Sequence, residues 1–417
     1  MPLKSKPFKV FYGWWIVGGS FLITLYVGGV VFYGFTAFLE PIANELGWSY
    51  AQVSLGSSLR GLEVGVLAPF IGILVDRWGP RRLIFVGAII AAAGALLVSQ
   101  SSSLIMFYGA FVLMAVGTSC CTGIVLTTAV ANWFRRRIGM ASAIAICGFG
   151  FSGLLIPGIV SLIDAYAWHV ALAILALGIV VLVLPLSFVF RHKPEQYGYL
   201  PDGKAVDREP LVGTLDQPAT SDEVDVRALQ ALKSGTFWRL VAISVCHMVV
   251  MSSAIIHVMP YLSSIGMVRS MSSIVAAAIP LSSIGGRLLF GWLGDRFDRR
   301  LITAVAFVMI GLGIFCFAYA SIAGFWLVIP FLALFGIGYG GNNALRIALA
   351  REYFGRANFG SIYGLVMGMS VVGSIVSPPL AGWVYDTLGS YQVVWFAFAA
   401  LPIAALGAIL TLPKVSK

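Results

Sequence analysis

The sequence predicts an all-α membrane protein with twelve transmembrane helices in two pseudo-symmetric six-helix bundles. Of its 417 residues, 59% are hydrophobic and only 11% are charged, and the mean hydropathy is +0.94. Soluble domains carry about 25% charged residues, so this chain could not cover its surface in water. Twelve apolar stretches approach the roughly 20 residues that cross a bilayer, and one loop motif occurs in both halves.

The predicted helices divide evenly around one long polar segment. That segment, 191–235, is rich in Asp, Glu, Pro and Gly, and is predicted to link a first bundle at 1–190 to a second at 236–417. The first bundle has predicted helices at 11–38, 50–75, 82–101, 104–133, 138–162 and 168–190. The second has them at 237–263, 270–293, 300–322, 325–350, 359–384 and 390–412.

Lysine and arginine concentrate in alternate loops, as the positive-inside rule describes. Both termini, the 191–235 segment and every second loop carry them, whereas the opposite loops hold acidic residues and only Arg269. We therefore expect a multi-pass protein of the cytoplasmic (inner) membrane with both termini in the cytoplasm. The net charge of +10 follows from this bias, so the partner it indicates is the lipid bilayer and not nucleic acid.

A repeated loop motif relates the two halves. GILVDRWGPRR follows the second predicted helix and GWLGDRFDRR follows the eighth, which aligns Asp76 with Asp295. The fifth and eleventh helices also align, and Asp164 then corresponds to Asp386. A repeat at half the chain length indicates two structurally related bundles.

Arg287 lies deep within the eighth predicted helix. It precedes Asp295, at the cytoplasmic end, by about eight residues or roughly 12 Å of helix. A charge at the bilayer centre costs at least about 2.5–3.5 kcal/mol, so such a residue is functional or neutralised by a partner. Because a planar guanidinium fits a carboxylate through two parallel hydrogen bonds, we favour substrate binding over a structural ion pair.

The second predicted helix holds Arg60 and Glu63, which share one face and can pair. Glu63 is the only acidic residue predicted to lie deep in a membrane segment, and His247 lies near the middle of the seventh helix. Both are candidates for carrying a proton, and Arg60 for contacting substrate. The alternatives are a structural pair that neutralises two buried charges and a hydrogen-bonded packing histidine. Arg346 is predicted to snorkel or to pair at a gate.

Four further polar residues are predicted inside membrane helices and offer hydroxyl or amide groups to a substrate: Tyr33, Tyr339, Asn342 and Asn343. Hydrogen bonds between helices are the alternative role for each. The sequence contains no metal-ligand cluster, no nucleophile–base arrangement and no nucleotide loop in a strand–helix context. We therefore expect no cofactor, no metal and no enzymatic activity.

The paired loop motifs resemble the signature of the major facilitator superfamily, with Asp298 of the second copy standing where a glycine is usual. Together with twelve helices and a central loop, the resemblance covers the whole chain and implies the major facilitator fold. In that family these loops form a cytoplasmic gate that bridges neighbouring helices in the outward-facing state. The resemblance therefore implies gating roles for Asp76, Arg77, Arg81, Asp295 and Arg296.

Three segments are similar to monocarboxylate transporters and bacterial oxalate–formate-antiporter-like proteins: FYGWW, GRLLFGWLGDR and RHKPEQYGYLPDG. In that family the helix 8 arginine, here Arg287, anchors the substrate carboxylate. Animal members usually have an acidic residue one turn before that arginine, where this chain has Ser283. The lysine that those members carry in helix 1 falls near Tyr33 of this chain. The resemblance implies a monomer that moves a lactate- or pyruvate-like acid by proton symport and alternating access. Anion exchange of the oxalate–formate type and a non-transporting membrane sensor remain alternatives.

Overall fold

The computed structural model describes residues 11–62, 67–134, 138–192, 194–197, 232–354 and 359–413. Within these residues, ten helical stretches are long and apolar enough to cross a membrane. One of them, Met140–Ser187, contains non-helical backbone at Ala167 (φ 63) and therefore comprises two helices. Two shorter helices on either side of residues 63–66 correspond to the second predicted helix. The described residues thus account for all twelve predicted helices.

The helices are labelled α1 to α12 in chain order. In the first half α1 is Gly13–Leu46, α2 comprises Tyr50–Leu62 and Ala68–Trp78, α3 is Pro80–Ser99, α4 is Leu104–Trp133, α5 begins at Ile138, and α6 follows the kink at Ala167 and ends at Ser187. In the second half they are Gly235–Ser264, Arg269–Arg296, Arg299–Ala323, Phe325–Phe354, Phe359–Leu388 and Gln392–Leu410.

The first helix is longer than the sequence predicted. We expected it to end at residue 38, but it continues through Glu40 and Pro41 to Leu46. Leu39 and Ile42 in this extension are fully buried. Tertiary packing of these side chains outweighs the local preference of proline to end a helix.

Equivalent contacts join the two halves. Helix α2 packs against α11, and α5 packs against α8. Because the repeat aligns α5 with α11 and the loop after α2 with the loop after α8, these two contacts are related by the same pseudo-two-fold axis. Within the halves, α3 packs on α4 and α6, and α7 packs on α11.

Several polar contacts between the halves lie at the end of the molecule opposite the arginine-rich loops. We call this the acidic end, and the other the basic end. Asp386 accepts hydrogen bonds from the backbone N–H groups of Tyr50 and Ala51, both at 3.0 Å. Arg269 Nε lies 3.1 Å from Asp164 Oδ1. The contacts of Asp386 and Arg269 therefore close the acidic end. At the basic end, by contrast, the ion pairs of the described residues stay within one half.

Candidate functional site

A cavity of about 320 Å³ lies between the two halves. Helices α1, α2 and α5 line it from the first half, and α7, α8, α10 and α11 from the second. Apolar side chains dominate its wall, while serine, tyrosine and arginine side chains supply the polar groups. The lining residues are Phe32, Tyr33, Ser57, Ser58, Gly61, Phe149, Met251, Ser252, Ile255, Ile256, Arg287, Tyr339 and Ser374.

Arg287 is the charged residue of the described lining. It forms no ion pair with the described residues, and its buried Nε has no hydrogen-bond partner there. Beside it, Gly286 brings α8 against the backbone of α10, where an added Cβ would lie 2.8 Å from the carbonyl carbon of Ile337. The guanidinium therefore stands at a tight helix crossing with its charge directed to the cavity, an arrangement that suits an anionic ligand.

Two tyrosines join the halves at the cavity. The hydroxyls of Tyr33 and Tyr339 lie 2.9 Å apart, across α1 and α10. A π-helical turn ends at the first tyrosine (Gly28–Tyr33), and another (Leu332–Gly336) lies just before the second. Such turns rotate the following side chains and recur at functional sites. One hydroxyl hydrogen bridges the pair, so the other can donate to a ligand.

His247 and two asparagines form a layer behind the tyrosines. His247 is 2% exposed and accepts a hydrogen bond at Nδ1 from Asn342 Nδ2, at 2.7 Å. Its ring stacks on Tyr339 with centroids 5.9 Å apart. Asn343 accepts from Arg346. None of the three is part of the described lining, and His247 contacts that lining through Tyr339.

Of the two roles predicted for Arg346, snorkelling to the membrane surface is wrong, and pairing at a gate stays a prediction. The residue is 5% exposed, and its Nη2 donates to Asn343 Oδ1 at 2.8 Å. Its Nε and Nη1 have no hydrogen-bond partner in the described part of the chain. Tyr339, Asn342 and Arg346 lie on one face of α10, because their positions follow the helical repeat of three to four residues. That face turns inward to α7, where Asn342 contacts His247.

The structure does not test the predicted pairing of Arg60 with Glu63. Glu63 and the side chain of Arg60 lie outside the described residues. The described part of α2 reaches the cavity through Ser57, Ser58 and Gly61. Arg60 therefore belongs to a helix that lines the cavity, and its role in binding stays a prediction.

The gating candidates of the first half lie at the basic end. Arg77 is exposed, and Arg81 places its guanidinium 4.6 Å from the centre of the Phe188 ring. The side chain of Asp76 lies outside the described residues. The described contact of Arg81 is thus within the first half.

The second-half candidates also contact their own half. Asp295 Oδ1 lies 3.9 Å from Arg299 Nη2, one helical turn away. Arg296 stacks on Trp292 at 4.2 Å. Bridges to neighbouring helices in an outward-facing state remain a prediction for all five gating residues.

The sequence interpretation did not identify the four serines that line the cavity. They are Ser57, Ser58, Ser252 and Ser374. Consecutive serines in apolar helices, as in α2 and α7, were the available signal. That signal is weak, because serine in a membrane helix commonly bonds to the carbonyl one turn earlier, as Ser58 does with Ser54 at 3.1 Å.

A family model described as Major Facilitator Superfamily matches residues 19–321 and 252–417. The chain belongs to the major facilitator superfamily. Monocarboxylate transporter 12 of Rattus norvegicus is 26% identical over 97% of this chain and 86% of its own. The oxalate:formate antiporter of Oxalobacter formigenes is 23% identical over 90% of this chain and 86% of its own. A solved structure of the nucleoside transporter NupG has a TM-score of 0.77 at 16% identity, covering 97% of this chain and 100% of that one.

Superfamily membership confirms several sequence-based expectations. The protein is a multi-pass membrane transporter and not an enzyme, and its two halves of six helices form the major facilitator fold. The cavity lies between those halves. In such repeat-built transporters the substrate site lies near the middle of the membrane at the repeat interface.

Proposed function

We propose that this major facilitator protein moves a small monocarboxylate, such as lactate or pyruvate, across the cytoplasmic membrane with a coupled proton. The observation that carries the proposal is the position of Arg287, which faces the inter-half cavity without an acidic partner among the described residues. The named activities of the relatives, monocarboxylate transport and oxalate:formate antiport, are consistent with an anionic substrate.

The cavity offers complementary groups for such an acid. The planar guanidinium of Arg287 can hold a carboxylate through two hydrogen bonds, which an ammonium group cannot reproduce. Tyr33 and Tyr339 have one hydroxyl hydrogen to spare for the same anion. Phe32 and Phe149 form an apolar wall for the rest of the substrate.

Proton coupling requires a group that gains a proton when substrate binds. We propose Glu63 for this role, with Arg60 as its partner, because substrate could draw the arginine away and allow the carboxylate to protonate. His247 is the second candidate, since its ring stacks on Tyr339, which lines the cavity. Asn342 and Asn343 are proposed to hold this layer by hydrogen bonds and to offer amide groups to any substrate that reaches it.

Alternating access would use the two ends of the half–half interface. The described contacts close the acidic end. The distribution of arginine predicts that the basic end faces the cytoplasm, which would make this an inward-facing state. In the opposite state, the loop carboxylates and arginines are proposed to close the basic end, and a single chain of two bundles would complete the cycle as a monomer.

The experiment is uptake of labelled lactate and pyruvate into proteoliposomes, with and without an inward proton gradient. Arg287→Lys keeps the charge but loses the planar fork, so binding should fall sharply, and Arg287→Gln should abolish it. Arg351→Gln is the matched control, since Arg351 is an exposed arginine at the basic end. Normal substrate binding by well-folded Arg287→Gln would refute the proposal that Arg287 binds the substrate carboxylate.

A second arm tests coupling. Glu63→Gln mimics the protonated acid and should retain exchange of substrate across the membrane but lose accumulation driven by a pH gradient. His247→Gln is tested in parallel. If Glu63→Gln still concentrates substrate with protons, Glu63 does not carry the proton.

Anion exchange is the second candidate function. Ser283, at the position of the acidic residue of animal members, is fully buried and donates to the carbonyl of Pro280 at 2.6 Å. It offers no titratable group beside Arg287. Exchange predicts rapid uptake against preloaded oxalate or formate that is indifferent to the proton gradient. A membrane sensor would show neither form of transport.

A further inference from the structure

An open groove of about 530 Å³ lies on the outer surface of the first half at the basic end, apart from the central cavity. It lies where α3 begins and α6 ends. Its lining residues are Trp78, Arg81, Arg82, Phe85, Val86 and Phe188. The four apolar members are all well exposed, as Trp78 at 52% and Phe188 at 54% illustrate. In a membrane-spanning bundle, such a face meets lipid.

The arginines of the groove are not neutralised by the described residues. Arg81 and Arg82 are exposed and form no ion pair there. They belong to the first turn of α3, a helix of 20 residues whose N-cap, Gly79, has no side chain to accept the first free N–H groups. The positive end of the helix therefore adds to the two side-chain charges.

The sequence repeat provides an internal comparison. Arg299 and Arg300 occupy the equivalent positions at the start of α9, and Asp298 replaces the glycine. Asp298 accepts from the backbone N–H of Arg300 at 2.9 Å and pairs with its Nη2 at 2.6 Å. Arg299 pairs with Glu352 at 3.0 Å. The second half thus pairs its two arginines with Glu352 and Asp298, whereas Arg81 and Arg82 have no such partner among the described residues.

We propose that the first-half groove binds an anionic phospholipid. Its phosphate lies at Arg81, Arg82 and the N-terminus of α3, where the second half has its own carboxylates. The acyl chains follow the exposed strip of Phe85, Val86 and Phe188, and Trp78 lies at headgroup level. The combination of two arginines with an apolar wall favours a lipid over a free phosphate, which would use only the charges.

The test is native mass spectrometry of the full-length protein titrated with phosphatidylglycerol and phosphatidylcholine of matched chains. Phosphatidylglycerol should bind more tightly. Each arginine near an anionic headgroup contributes about fivefold in affinity, so Arg82→Gln should weaken that binding about fivefold and the double variant with Arg81→Gln about 25-fold. Arg351→Gln removes an exposed charge at the same end but outside the groove, and should leave binding unchanged.

A second variant leaves both arginines in place. Val86→Trp fills the groove from the exposed face of α3 and should also weaken phosphatidylglycerol binding, which keeps the proposal testable if the double variant does not fold. Wild-type affinity in either folded variant overturns the proposal. So does an equal loss in Arg351→Gln, which would indicate diffuse attraction. Displacement of the lipid by equimolar glycerol phosphate would show a site for soluble anions and would overturn it as well.

Discussion

The carboxylate of Asp386 is expected to hold the acidic end closed. It accepts two hydrogen bonds of 3.0 Å from the first N–H groups of α2, so a residue of the second half caps a helix of the first. Removing an N-cap costs about 0.5–2 kcal/mol. Because this cap exists only while the halves touch, Asp386→Ala should raise the ratio of open to closed acidic ends by about two- to thirtyfold.

Pulsed electron resonance on spin labels can measure this ratio. Labels at Asn44 and Ser321, which are exposed residues in opposite halves near the acidic end, should report a larger population at long distance in Asp386→Ala. The five native cysteines must first be replaced. Glu45→Gln is the matched control, since Glu45 pairs with His169 within the first half.

An independent change tests the same reasoning by steric means. An added Cβ at Gly382 would lie 2.6 Å from the backbone nitrogen of Ala51, so Gly382→Ala should push α11 from α2 and open the same end. Gly364→Ala in the same helix meets open space and should have no effect. Unchanged distance distributions in both Asp386→Ala and Gly382→Ala would refute the role of this contact as a closure.

Three further predictions concern other parts of the molecule. Hydrogen bonds from Arg300 lower the pKa of Asp298 from its ordinary value of 3.8, so the stabilisation is fully present above that value and is lost as the pH falls through the lowered pKa. The difference in thermal stability between wild type and Asp298→Asn should therefore be largest near neutral pH and shrink as the pH falls below 3.8; equal unfolding curves at neutral pH would contradict this. Replacing both Tyr33 and Tyr339 by phenylalanine removes the hydroxyl hydrogen that the pair can donate to a ligand. A hydrogen bond is worth about 0.5–1.5 kcal/mol, so carboxylate binding should weaken about two- to tenfold, as measured by equilibrium titration; unchanged affinity would exclude the hydroxyl pair from binding. Cysteines at Ser102 and Gly203 should react with impermeant reagents from opposite sides of the membrane, and same-side labelling would disprove the predicted topology.

The sequence was sufficient for the architecture because the bilayer imposes strong local requirements. A helix must supply about 20 apolar residues to satisfy its backbone in lipid, so hydropathy alone located all twelve helices. The repeated loop motif then indicated two related halves. The sequence also singled out Arg287, because a charge within an apolar helix is costly, and the structure places this residue in the wall of the cavity.

Local pattern failed where packing decided the outcome. The sequence predicted that α1 ends at residue 38, but the helix continues to Leu46, and the buried side chains of Leu39 and Ile42 stabilise this extension. Arg346 looked free to reach the membrane surface, yet its face of α10 turns inward to α7.

What only the tertiary structure decided is which polar groups meet. Sequence spacing places side chains on one face of a helix but does not say which helix that face contacts. The Tyr33–Tyr339 pair and the Asp386 cap join residues more than 300 positions apart. They exist because two bundles pack about a pseudo-two-fold axis, and that packing is a property of the assembled halves. The sequence by itself determined the membrane helices, the repeat and the isolated charge; the fold determined their partners.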